Sequence, residues 1–180
     1  MDLSIILVNY KSPQLVLDCV QSIYEQTTHF SFEIFVVDNA SADNSKEIIL
    51  DKYPQIIWLP LNFNAGFARG NNAAIKLAKG KLLLLLNTDT IVIENAIEKA
   101  VTLFSNENKI AACGVQLLNT DGSKQISGAH FVRGGLNLLL PLPYLGAFIR
   151  YCGYKLKTRV PSITSVADKV EVDWIVGAFI

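Results

Sequence analysis

The sequence predicts an α/β domain built on a mostly parallel sheet flanked by helices, and three observations carry that expectation. Short β-branched apolar runs alternate with longer stretches of helical period over residues 3–118. Leu82, Leu83, Leu84, Leu85 and Leu86 are apolar without a break, as a strand covered on both faces has to be. The breaks between these stretches fall at Pro, Gly, Asn and Asp, the residues that turn a chain.

Five strands are expected, at residues 3–8, 32–37, 55–59, 81–86 and 110–117. The first helix opens at Ser12-Pro13, with a hydroxyl cap and proline at the first helical position, and aligns Val16, Val20 and Ile23 on one stripe. The second begins near Ser41 to Asp43, either of which could cap it, and ends before Pro54. The third runs from about Gly66 to Lys79, with Gly80 as a left-handed terminator. The fourth spans about 94–104 and buries Ile97, Val101 and Phe104. Beyond Leu118 neither period persists, and Asn119 to Gly122 reads as a turn. The expected organisation is therefore a binding subdomain at 1–118 and a partial second subdomain at 119–180.

Composition bounds the function. At 180 residues, with 51% hydrophobic and 18% charged, the chain is long and apolar enough to bury a core, which excludes disorder. Sixteen Lys and Arg balance sixteen Asp and Glu, so no basic excess exists to hold a nucleic-acid backbone, and no nucleic-acid partner is expected. Cys19, Cys113 and Cys152 are odd in number and far apart, which suggests neither a disulfide framework nor a zinc knuckle and fits a cytoplasmic compartment. His29 and His130 have no metal-ligand spacing and receive no role. The start of the chain lacks signal-peptide character, and the longest apolar stretch, 136–149, is interrupted by Asn137, Pro141, Pro143 and Gly146 and is shorter than the ~20 residues of a membrane-spanning helix. That stretch, flanked by Arg133 and Arg150, fits a peripheral contact with the inner face of the cell membrane, and equally a buried loop. The closing apolar run, 170–180, has no polar tail and reads as part of a longer, C-terminally truncated chain.

In an open parallel sheet, ligands bind beyond the carboxyl ends of the strands. Polar residues follow the expected strands four times: Asn9-Tyr10, Asp38-Asn39, Asn62 with Asn64, and Asn87-Thr88-Asp89. One such residue is ordinary turn chemistry; four favour a site. Arg69 and several amides lie where the third helix begins, a place suited to phosphate. Neither GxGxxG nor GxxxxGK[ST] occurs, which disfavours dinucleotide and P-loop chemistry. Asp89 could ligate a hard divalent cation, Mg²⁺ or Mn²⁺, beside a ligand's phosphates, or could simply cap the following turn.

Four ordered segments, 4–10, 36–43, 64–72 and 86–89, together with 172–178, resemble family 2 glycosyltransferases, in particular the rhamnosyltransferase-like branch that builds bacterial surface polysaccharide. The resemblance implies a GT-A fold, a UDP- or dTDP-sugar donor, a glycan or lipid-linked acceptor, a divalent cation and inverting transfer. It implies that Val8 and Tyr10 frame the base with Asn9 supporting the turn, that Asp38 accepts the ring N–H of a uracil or thymine, and that Arg69 reaches the base or a phosphate. It makes Asn87-Thr88-Asp89 the counterpart of the family's DxD motif, with Asp89 as metal ligand and Asn87 departing from the usual Asp. Trp174 and Gly177 would border the acceptor, and the general base would be a carboxylate beyond Ile180. A non-catalytic nucleotide-sugar or carbohydrate binding module is the alternative.

Overall fold

A computed structural model describes residues 1–106, 110–129, 142–155, 162–163 and 169–180. They fall into two compact units, Met1–Val115 with Gly177–Ile180, and Gln116–Val176. In the first unit, β1 (Leu3–Asn9), β2 (Phe32–Asp38), β3 (Ile57–Pro60) and β4 (Leu82–Leu86) form a parallel sheet in the order β3-β2-β1-β4. The register sets Asn9 opposite Asp38 and Leu7 opposite Leu86, so the strands' carboxyl ends share one edge. Ile5, Ile6, Leu7, Val36 and Val37 are fully buried, each removing apolar surface whose transfer from water contributes about 1.5–3 kcal/mol.

The helices cover this sheet: α1 (Pro13–Gln26), α2 (Ser45–Lys52), α3 (Gly66–Ile75) and α4 (Ala96–Asn106). Pro13 opens α1, and Val16, Cys19, Val20 and Ile23 are all fully buried, the helical spacing that one core-facing stripe requires. Against the other face, Ala74 of α3 packs into a cluster with Ile6, Phe35 and Val37. Gly70 lets α3 come close, since a Cβ there would lie 3.2 Å from Cγ1 of Val8.

Four expectations are corrected. Residues 110–117 form no strand; the place beside β4 is taken by the antiparallel segment 178–180, through Asn87 N–H to the Ala178 carbonyl and reciprocal Leu85 and Ile180 bonds. Helix α3 ends at Ile75 instead of Lys79, because Lys79 N–H is drawn to the Glu33 carboxylate and Gly80 N–H to the Ser4 hydroxyl. Gly80 is thus no left-handed terminator. It is needed because a Cβ would sit 2.4 Å from the Ser4 nitrogen. Helix α2 starts at Ser45, whose N–H is accepted by Asp43, while Ser41 is engaged elsewhere.

In the second unit, the Asn119 carbonyl accepts Gly122 N–H in a turn where Gly122 has φ +80°, and Leu118 bridges Lys124 beyond it. Three two-residue strands follow, with β5 (Gly128–Ala129) antiparallel to both β6 (Ser162–Ile163) and β7 (Trp174–Ile175). Helix α5 (Leu145–Lys155) lies between β5 and β6 in sequence. The stretch expected at 136–149 falls partly outside the described residues, as does His130. Among the described residues no helix is long and apolar enough to cross a membrane.

Two consequences are measurable. Gly80→Ala forces backbone against backbone and should lower stability by about 3 kcal/mol in urea unfolding, the upper end of overpacking effects. Glu98 accepts the N–H groups of His29 and Thr28 and pairs with the His29 ring at 2.9 Å, which holds its carboxyl down at about 2 from an ordinary 4.5. A depressed carboxyl stabilises fully above its unfolded value, so this contribution should vanish as pH falls from 4.5 towards 2. Thermal melts of Glu98→Gln should show a shallower decline across that range than the parent.

Candidate functional site

The carboxyl ends of β1 and β2 are knotted together by side chains. Asn9 is fully buried, and its Nδ2 donates to Asp38 Oδ1 at 3.1 Å and to Ser41 Oγ at 3.2 Å. Its Oδ1 accepts from the backbone and hydroxyl of Ser12, both at 3.3 Å. Ser41, 1% exposed, donates its hydroxyl to Asp38 Oδ1 at 2.5 Å and accepts the N–H of Lys11 at 2.9 Å. Ser41 N–H also donates to Asp38 Oδ2 at 3.2 Å. Asp38 is only half-buried, and a carboxylate has room for about four hydrogen bonds, so acceptor capacity remains for a ligand. Asn9 therefore acts through Asp38 and the turn, its amide being fully committed inside the protein.

Around this knot the backbone takes a costly shape. Lys11, Ala40 and Ala42 have φ of 55°, 60° and 53°, left-handed values that disfavour residues bearing a Cβ. Ala40 and Ala42 bracket Ser41, and their conformations turn its backbone N–H and its hydroxyl back onto Asp38. The sequence singled out Ser41 only as a helix cap. A Ser three residues after a strand-end Asp, between two alanines, is the signal that could have suggested more.

A second tie fixes the neighbouring loop. Asn39, 4% exposed, donates to Asn64 Oδ1 at 2.8 Å and accepts the N–H of Ala65, also at 2.8 Å, while Gly66 N–H reaches Asn64 Oδ1. The start of α3 is thereby anchored to the end of β2, and Arg69 lies in its first turn, exposed and without a hydrogen bond or ion pair among the described residues. Tyr10 is 47% exposed, with the Lys11 ammonium 5.4 Å from its ring centre. Val8 is half-buried against Gly70, its methyls turned towards α3.

After β4, the Asn87 carbonyl accepts Thr90 N–H, making a turn that holds Asp89 out. Asp89 is exposed and makes no hydrogen bond or ion pair among the described residues, so its carboxylate caps neither that turn nor α4, which starts at Ala96. Burial, and secondarily the negative Asp89, push the Cys19 thiol of α1 up to about 12. No group of three His, Cys, Asp or Glu gathers among the described residues. An exposed, unengaged carboxylate fits one ligand of a hard cation whose remaining positions are filled by diphosphate oxygens and water. Cavities of about 220 and 280 Å³ lie elsewhere, beside Lys81 and Leu82 and the apolar flank of α4.

In the second unit Trp174 is 42% exposed on β7, so its ring is open to solvent. In the first, a Cβ on Gly177 would meet only Ile180, at 4.0 Å.

Glycosyl transferase family 2 matches this chain over residues 4–167, and the chain belongs to that family. The fold is GT-A: the TarS 1–349 fragment of S. aureus in complex with UDP superimposes with a TM-score of 0.53 at 22% identity, over 65% of this chain and 38% of that one. The mannosyltransferase PcManGT of Pyrobaculum calidifontis, in complex with GDP-Man and Mn²⁺, gives 0.53 at 21% identity, over 60% and 33%. In sequence, the chain is 26% identical over 166 residues to the Escherichia coli UDP-Glc:alpha-D-GlcNAc-diphosphoundecaprenol beta-1,3-glucosyltransferase WfaP, covering 92% of this chain and 62% of WfaP. The chain thus spans less than two thirds of that relative's length.

Ser41→Ala leaves the Lys11 N–H and the Asn9 amide short of an acceptor in a buried place. It should cost about 2 kcal/mol in urea unfolding, within the usual range for an orphaned buried donor. Ser41→Thr, which keeps the hydroxyl, should recover most of that loss.

Proposed function

We propose that this chain is the donor-binding part of an inverting glycosyltransferase that takes a pyrimidine nucleoside diphosphate sugar, UDP- or dTDP-linked, with a hexose or a rhamnose-like deoxyhexose as the sugar. The observation that carries this reading is the half-buried Asp38, held in one orientation by Ser41 and Asn9 beside the exposed Tyr10 ring. A fixed carboxylate acceptor suits the imide N–H of uracil or thymine; cytosine and adenine present no donor at the equivalent ring nitrogen. Tyr10 offers a face for the base, and Arg69, in the first turn of α3, is placed for a phosphate.

Asp89 and the amide of Asn87 would hold the diphosphate end. A divalent cation, Mg²⁺ or Mn²⁺, supplies charge neutralisation for the departing diphosphate, and Asp89 is its protein ligand in this reading. Asn87 brings hydrogen bonding without charge, so cation affinity depends heavily on the donor's own phosphates. We assign donor binding to residues 1–118 and the acceptor side to 119–180, where Trp174 offers an exposed ring for a sugar and Gly177 leaves space. The name of WfaP includes a diphosphoundecaprenol acceptor, which supports a lipid-linked glycan as acceptor and bacterial surface glycan synthesis at the inner face of the membrane as the setting. The carboxylate that deprotonates the acceptor hydroxyl is not assigned to a residue of this chain.

Calorimetric titration with UDP, with and without Mn²⁺, tests the assignment. Asp38→Ala should weaken binding about tenfold or more under both conditions, the loss expected for a charge-assisted hydrogen bond. Asp89→Ala should leave metal-free binding intact and abolish the enhancement by Mn²⁺. Unchanged titrations in both variants would place the site elsewhere.

A further inference from the structure

Donor and acceptor roles around Asp38 are fixed from the backbone outward, because a main-chain N–H can only donate. Ser12 meets Asn9 Oδ1 with its backbone N–H and its hydroxyl, both at 3.3 Å, so that atom is the acceptor. The donating Nδ2 of Asn9 is thereby turned towards Asp38 Oδ1 and Ser41 Oγ. The Ser41 oxygen receives Lys11 N–H at 2.9 Å and Asn9 Nδ2 at 3.2 Å, which uses both of its lone pairs. Its single proton has one direction left, and it is donated to Asp38 Oδ1.

The two oxygens of Asp38 are therefore unequal. Oδ1 accepts from the side chains of Ser41 and Asn9, both sealed inside the protein. Among the described residues Oδ2 accepts only Ser41 N–H, at 3.2 Å, and keeps capacity for a ligand. A carboxylate is an acceptor whichever way it turns, so the parent protein hides the consequence of this inequality. An amide at the same position reveals it. In Asp38→Asn, oxygen inward keeps the bonds from Ser41 Oγ and Asn9 Nδ2 and gives up only the one from Ser41 N–H. Nitrogen inward would set an NH₂ group against those two donors. Two bonds against one hold the oxygen inward and turn the amide nitrogen to the ligand.

We propose that Ser41 is a positioning residue that sets the hydrogen-bond polarity residue 38 shows to the nucleotide base, and that this polarity separates uracil from cytosine. The inference rests on the reading of Asp38 as the partner of the base's ring nitrogen. Uracil and cytosine share one ring size, but at that nitrogen uracil donates and cytosine accepts. Exchanging the acceptor at position 38 for an outward donor therefore reverses the preference, provided the Ser41 hydroxyl holds the amide in place. Without that hydroxyl only Asn9 Nδ2 favours oxygen inward and only the N–H of residue 41 favours the opposite, so the amide is free to turn.

Calorimetric titration with UDP and with CDP, Mn²⁺ present throughout, tests it. The ratio of the two affinities is read, so that the lost charge in Asp38→Asn, which affects both ligands alike, cancels. The parent is expected to favour UDP about tenfold or more, and Asp38→Asn to favour CDP by about tenfold. Asp38→Asn combined with Ser41→Ala should bring the ratio near one, whereas Asp38→Asn combined with Ser41→Thr, which keeps the hydroxyl, should retain the reversal. A merely structural role for Ser41 would weaken both ligands together and leave the ratio unmoved. The proposal is overturned if Asp38→Asn loses UDP without gaining CDP, or if the combination with Ser41→Ala stays reversed. Where that combination fails to fold, the Asp38→Asn ratio alone decides. Titrations of UDP and CDP that Asp38→Asn leaves untouched would instead overturn the placement of the base at Asp38, and the proposal with it.

Discussion

The hydroxyl of Ser41 is the contact on which the candidate site depends. It joins three stretches of chain: the end of β1 through Asn9, the turn after it through Lys11, and the end of β2 through Asp38. Left-handed backbone at Lys11, Ala40 and Ala42 costs of order 1–2 kcal/mol per residue, and the buried hydrogen bonds around Ser41 offset it. Such a concentration of strain at the edge of a sheet holds a carboxylate in one orientation before any ligand arrives, and a preorganised acceptor loses less on binding than a mobile one.

Everything beneath that edge follows from parallel pairing. A parallel sheet needs a crossover after each strand, and here the crossovers place α1, α2 and α3 on its faces and leave the carboxyl ends open. Gly70 and Gly80 permit two close approaches in this unit, one of α3 to Val8 and one of the chain before β4 to Ser4. With the sheet so closed, Asn9, Asp38 and Asn87 emerge side by side, because the register of β1 with both neighbours leaves no other arrangement.

The strands β1 and β2 were legible because burial on both faces demands apolar runs, and no helix of such composition is so short. The leucine run of β4 marks a strand too, but it is not covered on both faces as expected, since Leu83 is 42% exposed. Residues 110–117 carried the same apolar signal without the pairing. What decides that place is Ala178 to Ile180, more than sixty residues later, and no local pattern reports a competitor so distant. The end of α3 was misread for a related reason: the Glu33 carboxylate and Ser4 hydroxyl that capture Lys79 and Gly80 are tertiary partners. The candidate residues were legible as polar positions after strands. Their division of labour was not, since only burial distinguishes Asn9, sealed inside, from Tyr10, standing at the mouth.

The central claim is that Asp38, fixed by Ser41 and Asn9, selects a pyrimidine nucleotide. The most direct measurement is calorimetric titration of the chain with UDP, dTDP, GDP and ADP, each with and without Mn²⁺. A pyrimidine diphosphate is predicted to bind at least tenfold more tightly than ADP, because uracil and thymine offer Asp38 a ring N–H where adenine has only an acceptor, and to gain affinity from Mn²⁺, because its diphosphate completes the cation's ligands around Asp89. Equal affinity for ADP and UDP in a folded sample, or preference for ADP, would contradict it.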